Sequence, residues 1–104
     1  MKIFTINGID FEMQNNSITD TIFTNLLYGK HCDLFDYYER PSQTKINIWD
    51  SWVEWFCQTD GILSWSVCGA NSNQFSIEAT YQDINGDCYK LYITKAHNRI
   101  YRVA

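Results

Sequence analysis

Apolar and polar residues alternate along most of the chain from Ile62 onward, and no other feature constrains the fold as much. A period of two residues is typical of a β-strand with one buried face and one face in water. Turn-forming residues interrupt the alternation at 69–73, at Asn85-Gly86 and at His97-Asn98. The pattern therefore predicts a four-stranded antiparallel meander in this part of the chain.

The turn at Asn85-Gly86 decides between two strand registers. A two-residue turn would mix apolar and polar residues on each face, whereas a three-residue loop with Gly86 in the left-handed conformation keeps the faces separate. Because a slip of one residue turns a buried set outward, we expect the second register. Applied to all three turns, this reasoning predicts the pairs Tyr81–Tyr89, Ala79–Leu91, Ile77–Ile93, Val67–Phe75 and Leu91–Val103.

One face of the predicted meander is apolar and forms the main layer of the core. Each large apolar side chain buried there stabilises the fold by about 1.5 to 3 kcal/mol. The opposite face, which includes Ser64, Ser66, Ser76 and Arg102, is expected to look to water. The apolar layer comprises Leu63, Trp65, Val67, Phe75, Ile77, Ala79, Tyr81, Tyr89, Leu91, Ile93, Tyr101 and Val103.

The segment KIFTINGIDFEM predicts a β-hairpin before the meander. Asn7-Gly8 readily adopts the positive φ angles of a type I′ turn, which fixes the register of the two strands. We expect the hairpin to extend the sheet. The predicted pairs are Ile6–Ile9 and Phe4–Phe11, whose side chains share one face with Met13.

Two segments between the hairpin and the meander show helical spacing. The first begins with a cap signal at Ser17 and Asp20, carries apolar residues from Ile18 to Leu27, and is followed by a helical turn that ends before Pro41. The second ends near Gly61, and a short strand at 46–49 is the alternative. Its apolar stripe consists of Trp49, Trp52, Val53 and Phe56.

These elements together predict a single α+β domain that spans residues 1–104. Its architecture is a two-layer sandwich, in which an antiparallel sheet (the N-terminal hairpin plus the C-terminal four-stranded meander) is covered by two or three helices. With 45% hydrophobic residues, a chain of this length buries a core without a metal or a disulfide.

No motif for catalysis, metal binding or a cofactor stands out. The four cysteines and two histidines lack C-x-x-C and H-x-x-x-H spacings. The predicted register places Cys68 and Cys88 near opposite ends of the sheet, which leaves only His31 and Cys32 as a local pair. Paired acids fit the polar edge of a strand or helix better than an acid–base pair. We therefore expect no enzymatic activity, no metal and no cofactor.

The compartment is predicted from the absence of targeting signals. The amino-terminal segment MKIFTINGIDFEM lacks the apolar run of a secretory signal. No stretch approaches the roughly 18 apolar residues of a membrane span. We expect a cytoplasmic protein whose cysteines stay reduced and which does not bind a membrane.

Charge is distributed unevenly along the chain. Residues 1–87 hold all twelve acids and four bases, a net charge of −8, whereas residues 88–104 hold four bases and no acid, a net charge of +4. A strongly acidic portion favours a basic partner over a phosphate backbone.

The stretch HCDLFDYYERP, residues 31–41, combines carboxylates with adjacent tyrosines. Carboxylates steer and pair with a basic partner, and aromatic rings supply contact area at low entropic cost. The alternative is that the two tyrosines roof the core. The predicted partner-binding residues are Asp33, Asp36, Tyr37, Tyr38 and Glu39, with Asp50, Glu54 and Trp55 as second choices.

In its short length, acidity and lack of motifs, the whole chain resembles the immunity proteins of bacterial toxin–immunity pairs, such as those of contact-dependent growth inhibition. The resemblance implies that the chain binds and neutralises a cognate basic nuclease toxin by occluding its nucleic-acid cleft. The chain is also similar in format to phage anti-CRISPR proteins, which implies an anti-defence inhibitor as the alternative. Neither group carries a motif whose functional residues transfer to this sequence.

A third hypothesis is a nucleic-acid-binding accessory domain. The last strands mix bases with an aromatic ring, and an exposed sheet face of this kind binds single strands by charge and stacking. The acidic remainder of the surface argues against it. The residues concerned are Lys90, Tyr92, Lys95, His97, Arg99 and Arg102.

Overall fold

The computed structural model describes residues 2–19, 43–68 and 76–103. In these ranges the chain forms six strands and one helix. They are β1 (Ile3–Ile6), β2 (Ile9–Met13), α1 (Gln43–Gln58), β3 (Ile62–Cys68), β4 (Ser76–Gln82), β5 (Cys88–Thr94) and β6 (Asn98–Arg102).

All six strands belong to one sheet, in the order β1-β2-β6-β5-β4-β3. Neighbouring strands are antiparallel except β2 and β6, which run parallel with Met13 opposite Ile100. Parallel neighbours need a long connection, which the chain between β2 and β6 supplies. The predicted fold class is therefore wrong: the sheet is mixed rather than antiparallel, and within the described ranges one helix, not two or three, accompanies it.

The N-terminal hairpin has the predicted turn and register. Asn7 and Gly8 have φ angles of 43° and 81°, as a type I′ turn requires. The hairpin also extends the sheet, although it joins through the parallel contact with β6. The observed pairs include Phe4–Phe11 and Ile6–Ile9, as the sequence predicts.

The register between β4 and β5 is confirmed at every predicted pair, and Gly86 has the expected left-handed φ of 87°. The predicted register between β3 and β4 is wrong, because Val67 lies opposite Ile77 rather than Phe75. That error amounts to two residues along β4. Since side chains alternate with a period of two, Val67 stays on the predicted face.

The predicted register between β5 and β6 is also wrong, and here the faces exchange. The turn lies at Lys95-Ala96 rather than His97-Asn98, and it is closed by a backbone hydrogen bond from Thr94 N–H to His97 O at 2.8 Å. Leu91 consequently lies opposite Ile100 instead of Val103. Ile100 is fully buried in the core, whereas Tyr101 and Val103 lie on the opposite face and Arg102 lies opposite Tyr89.

Leu63 and Ser76 also depart from the simple alternation. An irregularity in the pairing between Ile62 and Ser64 takes Leu63 out of the ladder, and its side chain is 59% exposed rather than buried. Ser76 is fully buried, although its position assigns it to the face expected to look to water. Alternation tells which way a side chain points from the sheet, but not what packs against it.

Helix α1 confirms the predicted helix and rules out the alternative strand at 46–49. It ends at Gln58, where Thr59 Oγ1 donates to Trp55 O and Gly61 follows with a φ of 94°. In the described ranges, no helix has the length and apolarity needed to cross a membrane. The other helical predictions fall within 20–42, outside the described residues, except that Ile18 forms a parallel β-bridge with Val103.

The sheet is strongly curved. The Phe4 ring on β1 lies 5.1 Å from the Tyr89 ring on β5 and 6.2 Å from the Tyr81 ring on β4. In a flat sheet with strands about 4.8 Å apart, β1 would lie about 14 Å or more from these strands. The curvature encloses the core, whose buried members are Ile6, Phe11, Phe56, Ile77, Ala79, Tyr89, Leu91, Ile93 and Ile100.

Candidate partner-binding surface

Helix α1 is fixed to the sheet by one side. Trp52, Trp55 and Phe56 form a cluster of rings with centroids 5.5 to 6.0 Å apart, and Phe11 of β2 packs against it. The indole N–H of Trp55 donates to Asn7 O at 3.1 Å, which ties the helix to the turn of the hairpin. The opposite side of α1 is therefore held in a fixed position.

That opposite side carries Asp50 and Glu54, and both are exposed. Residues four apart on a helix lie one above the other, so the two carboxylates form one acidic patch. Glu54 accepts a hydrogen bond of 3.4 Å from Gln58 Nε2. Asp50 is exposed, and among the described residues no hydrogen bond or ion pair to its carboxylate is present.

The neighbouring strand β3 lies at one edge of the sheet and exposes two large apolar side chains. Leu63 is 59% exposed and Trp65 is 41% exposed. Trp65 is also held in place, because its ring stacks on Phe56 of α1 with centroids 5.7 Å apart and planes at 17°. It thus offers a rigid aromatic surface to a partner.

The geometry of α1 relates these groups to one another. At about 100° per residue around the helix, Trp55 faces the hairpin and Phe56 faces Trp65, and Asp50 lies about 120° from Phe56 on the side exposed to solvent. Glu54 is also on the exposed side, about 160° from Phe56 and about 100° from Trp55, so Asp50 is the carboxylate nearer β3. We call the surface made by Asp50, Glu54, Leu63 and Trp65 the α1–β3 surface.

The charge separation along the sequence becomes a charge separation across the sheet. The described residues of α1, β3, β4 and the loop to β5 carry six acids and one base, a net charge of −5. The described residues of β1, β2, β5 and β6 with their connections carry two acids and five bases, a net charge of +3. Since β4 and β3 are adjacent at one edge, the α1–β3 surface lies in the acidic half.

The second-choice residues of the sequence prediction fall on or beside this surface. Asp50 and Glu54 come together as described, whereas Trp55 is half-buried and uses its ring and N–H within the chain. Its role in binding stays a prediction. The first-choice residues lie outside the described residues: Asp33, Asp36, Tyr37, Tyr38 and Glu39.

Sequence reasoning missed Leu63 and Trp65 because it placed both in the apolar layer. The alternation correctly assigns Trp65 to the inner face, opposite Ala79. It does not show that β3 is an edge strand, where an inward-facing side chain is covered from one side only. The missing information is the strand order.

The described residues suited to metal or thiol chemistry are dispersed. Cys68 pairs with Ser76 and Cys88 with Gln82, so these cysteines lie at opposite ends of β4, as predicted. Cys57 is an exposed free thiol and Cys88 a half-buried one. Among the described residues, no three metal-binding side chains come together.

The basic half of the molecule presents its bases in several directions. Lys90 lies opposite Tyr101 on one face of the sheet, and Arg102 lies opposite Tyr89 on the other. Tyr92, the ring proposed to stack on nucleobases, is only 3% exposed, and this burial raises the pKa of its hydroxyl, with a smaller contribution from Tyr101.

A shallow groove of about 360 Å³ lies beside these bases and is lined by Lys95 and His97. It also contains the carboxylates of Asp10 and Glu12, and Glu12 Oε1 lies 3.9 Å from His97 Nδ1. Carboxylates in the groove repel phosphate, so this surface is poorly suited to a nucleic acid.

Comparison of the chain with protein-family models, curated proteins and solved structures finds no match.

Proposed function

We propose that this chain is an immunity protein that binds a basic nuclease toxin and covers its nucleic-acid cleft. The observation that carries the proposal is the α1–β3 surface, where exposed carboxylates of α1 and exposed apolar side chains of β3 lie on two elements that pack against each other through Phe56 and Trp65. The partner class follows from charge: a nuclease cleft is lined by bases that bind phosphates, and an acidic surface competes for the same bases.

The two kinds of group have different tasks in this proposal. Asp50 and Glu54 steer the partner and pair with its lysines and arginines, which raises the association rate. Trp65 and Leu63 supply apolar area at the centre of the contact, where a few buried anchors carry most of the binding free energy. Because Trp65 already stacks on Phe56, binding orders few additional side chains.

An acidic inhibitor and a nucleic-acid-binding domain make opposite predictions for RNA and DNA. The inhibitor binds neither, since its net charge of −4 is dominated by the acidic half. An anti-defence inhibitor would use the same surface on a nucleic-acid-binding complex instead of a single nuclease domain. An immunity protein and an anti-defence inhibitor are therefore distinguished by which target protein the chain inhibits.

The direct test is an inhibition assay with a panel of purified basic RNase and DNase toxin domains. We expect the chain to abolish cleavage by at least one of them at equimolar concentration, without binding the RNA or DNA substrate in a gel-shift assay. Inhibition of none of the panel, or a gel shift of the substrate by the chain alone, would contradict the proposal.

A further inference from the structure

The outer edge of β3 is open in the described structure. Strand β3 pairs with β4 on one side, and within residues 2–19, 43–68 and 76–103 no strand pairs with its other side. An edge strand presents a row of unpaired backbone N–H and C=O groups, which is a template for a further strand.

Soluble proteins commonly protect such edges, and β3 has little of this protection. Its seven residues, ILSWSVC, include no charge and no proline. The one irregularity lies at its beginning, between Ile62 and Ser64. The remaining residues pair regularly with β4 through Cys68, so the strand keeps a regular edge along most of its length.

We propose that β3 binds an extended basic segment of the partner, which adds to the sheet as a further strand next to β3. The identity of the partner rests on the proposed function, whereas the mode of binding rests on the geometry of the edge. Backbone hydrogen bonds to β3 would hold the segment, and its alternating side chains would contact the α1–β3 surface on one face.

Charge complementarity selects a basic segment. On the inner side of β3, Asp50 and Glu54 of α1 are exposed; on the outer side, Glu78 of β4 accepts a hydrogen bond from Ser66 Oγ at 2.9 Å. Carboxylates therefore flank β3 on both faces of the sheet. A lysine or arginine on the added strand would be attracted by these carboxylates across the uncharged β3.

The same charges disfavour a second copy of this chain as the occupant. Antiparallel pairing of β3 with β3 of another copy would place both α1 helices on one side of the joined sheet. Asp50 and Glu54 of one copy would then approach the same residues of the other, and like charges at short distance repel. We therefore expect that the chain does not dimerise through this edge.

The test uses a seven-residue peptide of alternating lysine and valine, blocked at both ends, which matches the seven residues of β3. We expect it to bind the intact chain and to protect backbone amides of β3 from hydrogen exchange. An otherwise identical peptide with N-methyl groups on alternate residues keeps the charge but loses donors to the edge, and it should bind about tenfold more weakly or worse.

Two matched variants of the chain locate the site. Leu63→Lys places a charge at the edge, as natural edge strands do, and should weaken binding of the lysine peptide by about tenfold or more. Ile84→Lys makes the same replacement at a fully exposed residue in the loop after β4 and should leave binding unchanged. Circular dichroism and urea unfolding check that both variants fold.

Several outcomes would overturn the inference: no binding of the lysine peptide, equal binding of the N-methylated peptide, or protection of amides elsewhere than in β3. Dimerisation of the chain that Leu63→Lys abolishes would instead assign the edge to a second copy. If the peptide binds β3 but no nuclease is inhibited, the proposed function fails and the strand-binding edge stands. If a nuclease is inhibited while the peptide does not bind, the strand-binding edge fails and the proposed function stands.

Discussion

At the scale of single residues, Gly61 and Gly8 have similar backbone conformations, but a side chain at these two positions would destabilise the fold to different extents. Both have a positive φ, which side chains other than glycine rarely adopt. A Cβ at Gly61 would lie 2.5 Å from Gln82 O and 2.8 Å from the Tyr81 ring, whereas a Cβ at Gly8 would meet nothing within 4 Å. Glycine is thus required at position 61, between α1 and β3, for two reasons: the positive φ of the backbone and the lack of space for a side chain.

We predict that Gly61→Ala lowers the free energy of unfolding more than Gly8→Ala does. The left-handed conformation costs about 1 to 2 kcal/mol for alanine at either position, and the clash at Gly61 brings the loss there to about 3 kcal/mol or more. Urea denaturation of both variants measures the difference. Equal losses would show that the chain after α1 moves easily away from β4.

The buried hydroxyl of Tyr92 makes the free energy of unfolding depend on pH in the alkaline range. Its pKa is raised above the ordinary value of 10.0 by burial first and by Tyr101 second. The folded chain therefore holds this proton more tightly than the unfolded chain, so the contribution to stability is complete below pH 10 and is lost as the pH rises above it.

We predict that Tyr92→Phe flattens the decline in the free energy of unfolding above pH 10, because phenylalanine has no proton to lose. The slopes come from urea unfolding at a series of pH values. Tyr101→Phe is the control: it removes only the smaller of the two causes of the raised Tyr92 pKa and should retain most of the decline. An unchanged slope in Tyr92→Phe would contradict the burial of its hydroxyl.

At the scale of elements, the pairing of β5 with β6 decides which residues enter the core. Ile100 is fully buried opposite Leu91, and Val103 is half-buried on the other face. We predict that Ile100→Ala costs about 2 to 5 kcal/mol of unfolding free energy, whereas Val103→Ala costs clearly less. Urea denaturation distinguishes them, and a larger loss for Val103→Ala would restore the register expected from the sequence.

The same pair of strands shows how far the elements follow from the sequence. Asn7-Gly8 and Gly86 fix their turns because few residues adopt positive φ, so both registers are predictable. The turn at Lys95-Ala96 needs no such residue, and the neighbouring His97-Asn98 looks like a better turn. Local patterns therefore located β5 and β6 but not the turn that sets their faces.

At the scale of the whole molecule, the strand order converts a charge asymmetry in sequence into an acidic half and a basic half. The asymmetry itself was readable from residue counts. Its position was not, because the parallel contact between β2 and β6 is non-local and places the hairpin beside the basic strands. The edge position of β3, and with it the exposure of Leu63 and Trp65, follows from the same strand order.

An electrostatically divided molecule should associate with its partner at a rate that depends on salt. We predict that the association rate with an inhibited nuclease falls as ionic strength rises from about 0.01 M to 0.1 M, where the screening length drops from about 30 Å to 10 Å. Stopped-flow fluorescence can follow the reaction through the four tryptophans of the chain. The dissociation rate should change less, and a salt-independent association rate would count against steering by carboxylates.

The central claim is that the carboxylates of α1 contact the basic cleft of a nuclease. The most direct measurement is the inhibition constant of the chain, of Asp50→Lys/Glu54→Lys, and of Asp10→Lys/Asp87→Lys, which changes the net charge equally at exposed sites away from α1. We predict that the α1 double variant weakens inhibition by about 100-fold or more and that the control pair has an effect of about threefold or less. Equal inhibition by all three proteins, or equal losses in both variants, would contradict the claim.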